Sequence, residues 1–415
     1  MKFFLIILTC ACLTFQSKAQ TSELCLMQAR VDLVYLSSDL LGGRATASEG
    51  EYLAAEYIIH RFKEIGLRPG GVDNTWLYPF HFKEKSNPHD TSSMSDLASK
   101  TGFNVIGKID NGAKYTVIIG AHYDHLGMGG AGSGSLAANE AAIHNGADDN
   151  ASGVAALLAI AEKLKNNPIT KNNNYEFIAF SGEEKGLYGS NAYTKDGSFN
   201  SDQYNYMINL DMVGRLNAEK SLALGGVGTS PAWKPMLENN AAIRGFKISA
   251  SESGQGPSDH TSFYLKNIPV LHFFTGQHKD YHKPSDDAQW INFEGLLNVA
   301  NLVGYIIENK NNEGKLGFTK TKDESGKRST SFKVTMGIMP DYLYQEGGIR
   351  LDGVTDNKPA ANAGLKAGDI VLKIGDTEIK DMNSYMEVLG KHEKGEKVNV
   401  EFKRDGKMQS LLLTF

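Results

Sequence analysis

Apolar positions recur at three- and four-residue spacing from Leu33 to Leu67, where Leu53, Ala54, Tyr57, Ile58 and Phe62 share one face, a pattern that predicts helix. Beyond it, short continuous apolar runs alternate with amphipathic stretches as far as Asn309. The runs Tyr115 to Ala121, Tyr175 to Phe180, Tyr206 to Leu210 and Ile268 to Phe274 predict strands. Between the first two, Val154, Leu157, Leu158, Ala161 and Leu164 form the apolar stripe of a helix. Strands that alternate with helices in this way predict an α/β fold, a mostly parallel sheet flanked by helices.

The pattern breaks at Lys310 to Thr330, which is rich in Lys, Asn, Gly and Ser and predicts a linker. It separates a large domain over 27–309 from a second unit over 331–415 built of short strands and Gly-rich turns. The first residues read as a processing signal. Met1-Lys2 is followed by an apolar run, Phe3 to Phe15, too short to span a bilayer, and Ser17-Lys18-Ala19 supplies the small residues of a cleavage site. A signal peptide over 1–19 implies export, to a periplasm or to the medium.

The chain has 415 residues, enough for two domains, and 41% of them are apolar, enough for packed cores. A net charge of -5 speaks against general affinity for nucleic acid or anionic membranes. Three cysteines occur and two fall in the signal, which leaves Cys25 alone. A disulfide within the mature chain is thereby excluded, and any metal must be held by His, Asp and Glu.

Open α/β sheets bind ligands beyond the carboxyl ends of their strands. The first strand runs into His122-Tyr123-Asp124-His125. Asp148 and Asp149 lie in N-G-A-D-D-N-A-S-G, the polar turn that opens the next helix. The second strand ends in Ser181-Gly182-Glu183-Glu184, the third in Asp211, and Tyr281-His282 follows the fourth. Zinc accepts imidazole nitrogen and carboxylate oxygen, and two zincs about 3.5–4 Å apart can act together on a carbonyl. In an extended Glu-Glu pair the side chains point to opposite sides, so one can ligate while its neighbour serves as a base. Asp124 is positioned to orient a ligating imidazole. His125 and His144 flank the stretch Gly127 to Gly134 and read as loop or pocket residues. Ser258-Asp259-His260 cannot form a catalytic triad, whose members converge from separated segments, and reads as pocket wall. Arg215 reads either as a substrate contact or as a structural ion pair.

The ordered motifs H-Y-D-H-L-G, G-A-D-D-N-A-S-G, S-G-E-E-K-G, L-D-M-V-G and Y-H resemble those of the co-catalytic zinc exopeptidases that include bacterial leucyl aminopeptidases and glutamate carboxypeptidase II. The resemblance implies two zinc ions, one held by His122 and Asp211 and the other by Glu184 and His282, with Asp148 bridging them. It further implies Glu183 as general base, Tyr281 as donor to the oxyanion, and an unusual peptide geometry at Asp149. The implied activity is removal of N-terminal residues from peptides. A glutaminyl cyclase, a carboxypeptidase and a non-catalytic binding protein use the same fold and stand as alternatives. In the second unit, G-L-K-A-G-D-I-V-L-K-I-G-D-T-E-I at Gly364 to Ile379 resembles bacterial PDZ domains. That resemblance implies capture of peptide C-termini at the loop Met336 to Met339.

Overall fold

The computed structural model describes residues 23–83, 98–130, 133–137, 141–239, 243–321, 334–340, 344, 346–354, 358–380 and 382–415. The signal expected over 1–19 lies outside them. No helix among the described residues is long and apolar enough to cross a membrane.

The helical stretch expected from Leu33 to Leu67 is two helices. The first, α1, covers 23–36, and α2 covers Glu49–Ile65. The segment between them is polar and carries positive φ at Arg44 and Ala47, which no helix tolerates. Ser48 caps α2 by accepting from the Glu51 N–H, and Gly66, with φ 80, ends it. Its buried face is Ala54, Ala55, Ile58, Ile59 and Phe62, while Leu53 points outward.

Among the described residues, nine strands form the sheet of the larger unit: β1 Arg68–Pro69, β2 Leu77–Phe82, β3 Lys100–Ile109, β4 Thr116–His122, β5 Asn174–Phe180, β6 Tyr204–Leu210, β7 Ser221–Gly225, β8 Lys247–Ala250 and β9 Val270–Phe274. The order is β1-β3-β5-β4-β6-β9-β7-β8, with β2 paired to β3. The central strands β5, β4, β6 and β9 are parallel, as expected, and β3 and β7 join them antiparallel. The sheet is therefore mixed, its parallel part confined to the middle.

Helices cover both faces. Val117, Ile119 and Ala121 of β4 pack into the cluster that contains α3 (Gly153–Lys165) and the helix Phe293–Lys310. Ile118, between them, packs into a second cluster with Phe180, Met207 and Phe263. A strand buried on both sides must be apolar at every position, which explains why these runs did not alternate. At Gly107 a Cβ would lie 2.7 Å from Phe62, so the close seating of α2 on β3 requires glycine there.

The parallel register sets the site. His122 pairs with Phe180, and Gly120 with Asn209. The residues that follow Phe180 and Leu210 therefore emerge beside His122, at one edge of the sheet.

Residues expected as a linker prove, through Thr321, to be part of this unit. Leu316 enters the core, Thr319 N donates to Thr229 O at 2.8 Å, and the Tyr264 hydroxyl pairs with Thr321 Oγ1 at 2.8 Å. The sparse apolar residues Leu316 and Phe318 carry that docking, too few to register as a periodic element.

Among the described residues the second unit has six antiparallel strands: β10 Ile338–Pro340, β11 Ile349–Val354, β12 Ile370–Ile374, β13 Thr377–Glu378, β14 Lys397–Arg404 and β15 Lys407–Thr414. Their core includes Met336, Leu351, Val371, Val400 and Leu413. Asp369, in the Gly-rich string, is fully buried and bound by both ends of the Arg404 fork at 2.6 Å.

Trp233 is fully buried in the larger core, edge-on to Tyr206 with ring centroids 5.4 Å apart. Trp233→Ala should lower unfolding free energy by about 3–5 kcal/mol. Urea denaturation at constant metal content measures this.

Candidate metal centre

Three strand ends and two loops deliver acidic and imidazole groups to one place. His122 closes β4, Glu183 and Glu184 follow β5, and Asp211 follows β6. Asp149 lies in the turn Ala147–Ser152 that opens α3, and His282 in the loop after β9. The peptide bond Asp149–Asn150 is cis. Asn150 ties this turn to the end of β6. Its Nδ2 donates to Leu210 O at 2.9 Å, and its Oδ1 accepts from Met212 N at 3.1 Å.

The Asp149 carboxylate divides between two histidines. Its Oδ1 is 3.3 Å from His122 Nε2 and its Oδ2 is 3.1 Å from His282 Nε2. Each imidazole nitrogen faces one further carboxylate, Asp211 at 3.3 Å from His122 and Glu184 at 3.3 Å from His282. Ligand atoms of His122, Glu183 and Asp211 converge within 4.8 Å, as do those of His125, Asp149 and Glu184. Two imidazoles and several carboxylates at this spacing are the donor types that zinc accepts.

Asp148, expected as the central carboxylate, is elsewhere. Its Oδ1 accepts from Gly214 N at 2.7 Å, and its Oδ2 lies 3.1 Å from His278 Nε2. The turn rotates successive side chains apart, so only the second of the two aspartates faces His122 and His282. His125 also differs from expectation. It is fully buried, and its Nδ1 pairs with Glu184 Oε1 at 2.8 Å. Tyr281 stacks on the His282 ring at 3.9 Å.

The sequence model of peptidase family M28 matches residues 104–307, and that of the PDZ domain matches 314–414. Residues 104–307 belong to peptidase family M28. Among curated relatives, a probable leucine aminopeptidase of Arthroderma otae is 29% identical over 50% of this chain and 56% of its own. Aminopeptidase YwaD of Bacillus subtilis is 29% identical over 59% of this chain and 52% of its own. The chain thus spans about half the length of the curated relatives it matches. A solved zinc aminopeptidase from Bacillus subtilis superposes with a TM-score of 0.53 at 18% identity, over 70% of this chain and 98% of that one. A Zn-dependent exopeptidase from Parabacteroides distasonis gives 0.51 at 18% identity, over 68% and 98%. These two likenesses establish the fold.

Groups around this centre hold its side chains in place. Asp124 Oδ1 accepts from Glu183 N at 3.1 Å and its Oδ2 from Thr46 Oγ1 at 2.8 Å, while its backbone carbonyl faces His122 Nδ1 at 3.2 Å. Asp286 Oδ2 accepts from both Asp148 N and Asp149 N, at 2.9 and 3.0 Å. Arg215 pairs with Asp280 at 3.2 Å and with Asp286 at 3.4 Å, which makes it structural. Neither Thr46 nor Asp286 stood out from sequence, although Asp286 follows His282 by four residues. Ser258 accepts from Asn209 at 2.8 Å, and His260 stacks on His272 at 4.3 Å; both residues are buried.

The electrostatics follow from burial and crowding. Burial opposes charge on His122, but Glu183 and Asp211 outweigh it and hold the ring's proton affinity well above its ordinary value. Burial lifts the Glu183 carboxyl well above the ordinary range; His122 opposes this, while Asp211 and Glu184 add to it. Glu184 is drawn down to about 2, because His282 overcomes the effect of burial.

Glu51 reports on this crowding from outside the ligand set. Burial first, then repulsion from Asp124, pushes its carboxyl up to about 8. The folded chain therefore keeps a proton that the unfolded chain releases above roughly pH 4.3. Its stabilisation is full below that pH and is lost as pH rises toward 8. Glu51→Gln, which keeps an acceptor for Ala47 N, should exceed the parent in stability at pH 8 by up to about 5 kcal/mol. That advantage should vanish near pH 4.3. Denaturant midpoints across this range measure it, and a difference that does not vary with pH would rule the account out.

Proposed function

We propose that this chain is a two-zinc aminopeptidase. The observation that carries the reading is the Asp149 carboxylate, which offers one oxygen to each of two histidines, each histidine having its own further carboxylate. Residues His122 and Asp211 would hold one zinc, His282 and Glu184 the other, with Asp149 shared. A shared carboxylate offsets the repulsion between two dications held at close range. The curated relatives are named as aminopeptidases, which favours peptides with a free N-terminus as substrates.

Zinc, when bound, polarises the scissile carbonyl and makes water easier to deprotonate. Glu183 accepts the proton of the attacking water and returns it to the departing amine. Its place beside His122 and Asp211 puts the carboxylate within reach of a water at the centre for both steps. Asp124 fixes the Glu183 backbone through its N–H. Tyr281, in the proposed role of hydrogen-bond donor, stabilises the oxyanion that develops on the carbonyl.

The second unit adds a peptide-binding role. Its β10 stands at the edge of the sheet, the place where an extended peptide adds as a further strand. Met336, expected in the carboxylate loop, is buried in the core, so Gly337 to Met339 remain for that loop.

Release of p-nitroaniline from a panel of aminoacyl-p-nitroanilides, with zinc counted per chain, tests the activity. Glu183→Gln should retain two zincs and lose at least about a thousandfold in kcat. Asp149→Asn should lose bound zinc, whereas Asp148→Asn should keep it. Full zinc content with cleavage of no member of the panel would remove the aminopeptidase reading and direct attention to cyclisation or carboxypeptidase assays.

For the PDZ domain, a fluorescent peptide with a free C-terminal carboxylate should bind the full chain about tenfold or more tighter than its amide. Equal binding of the two would argue against capture of the C-terminus.

A further inference from the structure

Arg44 is 1% exposed, yet no carboxylate lies within ion-pair distance among the described contacts. Its guanidinium is spent on backbone carbonyls instead. Nε donates to Tyr123 O at 2.7 Å, Nη1 to Asn145 O at 2.7 Å and to Leu36 O, and Nη2 to Gly146 O at 3.0 Å. Tyr123 adjoins His122 and Asp124, and Gly146 opens the turn that carries Asp149. The rigid planar fork of Arg can bridge separated acceptors in this way, and the single ammonium of Lys cannot.

The chain around Arg44 reinforces the same connection. Arg44 O accepts from His125 N at 3.0 Å, and Gly43 O from Gly127 N at 2.9 Å. Thr46 reaches Asp124, which in turn accepts from Glu183 N. The seat is tight, because a Cβ at Gly43 would lie 2.5 Å from Gly127 O and 2.6 Å from His144 O. Arg44 itself adopts φ 48, a conformation that a non-glycine residue takes only when its surroundings compel it. A residue held in strained backbone, with its charge fully buried, is over-determined by the parts it joins.

We propose that Arg44 is a positioning residue for the metal centre, its guanidinium setting the spacing between the His122 segment and the Asp149 turn by bonding the carbonyls of Tyr123, Asn145 and Gly146. This rests on the zinc reading above. The positive charge also offsets part of the repulsion among Asp124, Asp149, Asp286 and Glu184.

The test compares Arg44→Lys, which keeps the charge and loses the fork, with Arg44→Met, which loses both. Arg61→Met serves as a structural control, because Arg61 is also buried but pairs with Asp32 at 2.8 Å on α1 and α2, away from the ligands. Zinc affinity is read by competition with a chromogenic chelator, geometry by the visible spectrum of the cobalt-substituted chain, and stability by Tm. Both Arg44 variants should bind zinc about 10–100-fold more weakly, with an altered cobalt spectrum and a fall in kcat larger than any change in KM. Arg61→Met should lower Tm alone. If Arg44→Met does not fold, Arg44→Lys decides the matter. Wild-type zinc affinity and cobalt spectrum in Arg44→Lys would overturn the proposal, even if Tm falls. A parent chain that binds no zinc would instead overturn the reading on which the proposal rests.

Discussion

Like charges crowded at the end of a buried sheet are the constraint around which the larger domain is organised. Asp149, Glu183, Glu184 and Asp211 converge there with Asp124 and Asp148 close behind. Coulomb repulsion among such groups is strong where water is scarce, and left to itself it would push the strand ends apart. The imidazoles of His122 and His282 oppose it locally, each placed between two carboxylates. A divalent cation at either triad would reverse the sign of the interaction, so the ligands' mutual repulsion becomes affinity for metal.

What resists that repulsion in the protein is backbone. The parallel register of β4, β5 and β6 fixes where His122, Glu183 and Asp211 emerge. Side chains then lock the loops: Asn150 ties the Asp149 turn to β6, Asp286 receives two of its N–H groups, and Asp124 receives that of Glu183. None of these uses a flexible surface element. Buried hydrogen bonds of this kind hold ligands to within fractions of an ångström, which chemistry at a carbonyl requires.

The strands, the helix after G-A-D-D-N-A-S-G and the edge at which ligands gather were legible in the sequence, because each depends on local pattern and on the rule that ligands collect at strand ends. The choice between Asp148 and Asp149 was not. Two identical neighbours differ only in which way the turn aims them, and that is set by long-range bonds to Asp286 and Gly214. Arg44 and Thr46 were invisible for a similar reason. They act on carbonyls and a carboxylate contributed by segments about eighty to a hundred residues away, and residue type alone carries no trace of such partners. The packed tail through Thr321 escaped notice because two or three apolar side chains suffice to dock it.

The arm from Gly43 to Glu51 lies far upstream of residue 104, where the recognisable family sequence starts. During synthesis it leaves the ribosome before any ligand, and His282 leaves last of the set. The two ends of the assembly are therefore separated by most of the domain's translation time. Until His282 has emerged, Asp149 and Glu184 have only His122 and His125 as imidazole partners. Closure of the site therefore waits for His282, the last of these side chains to be synthesised.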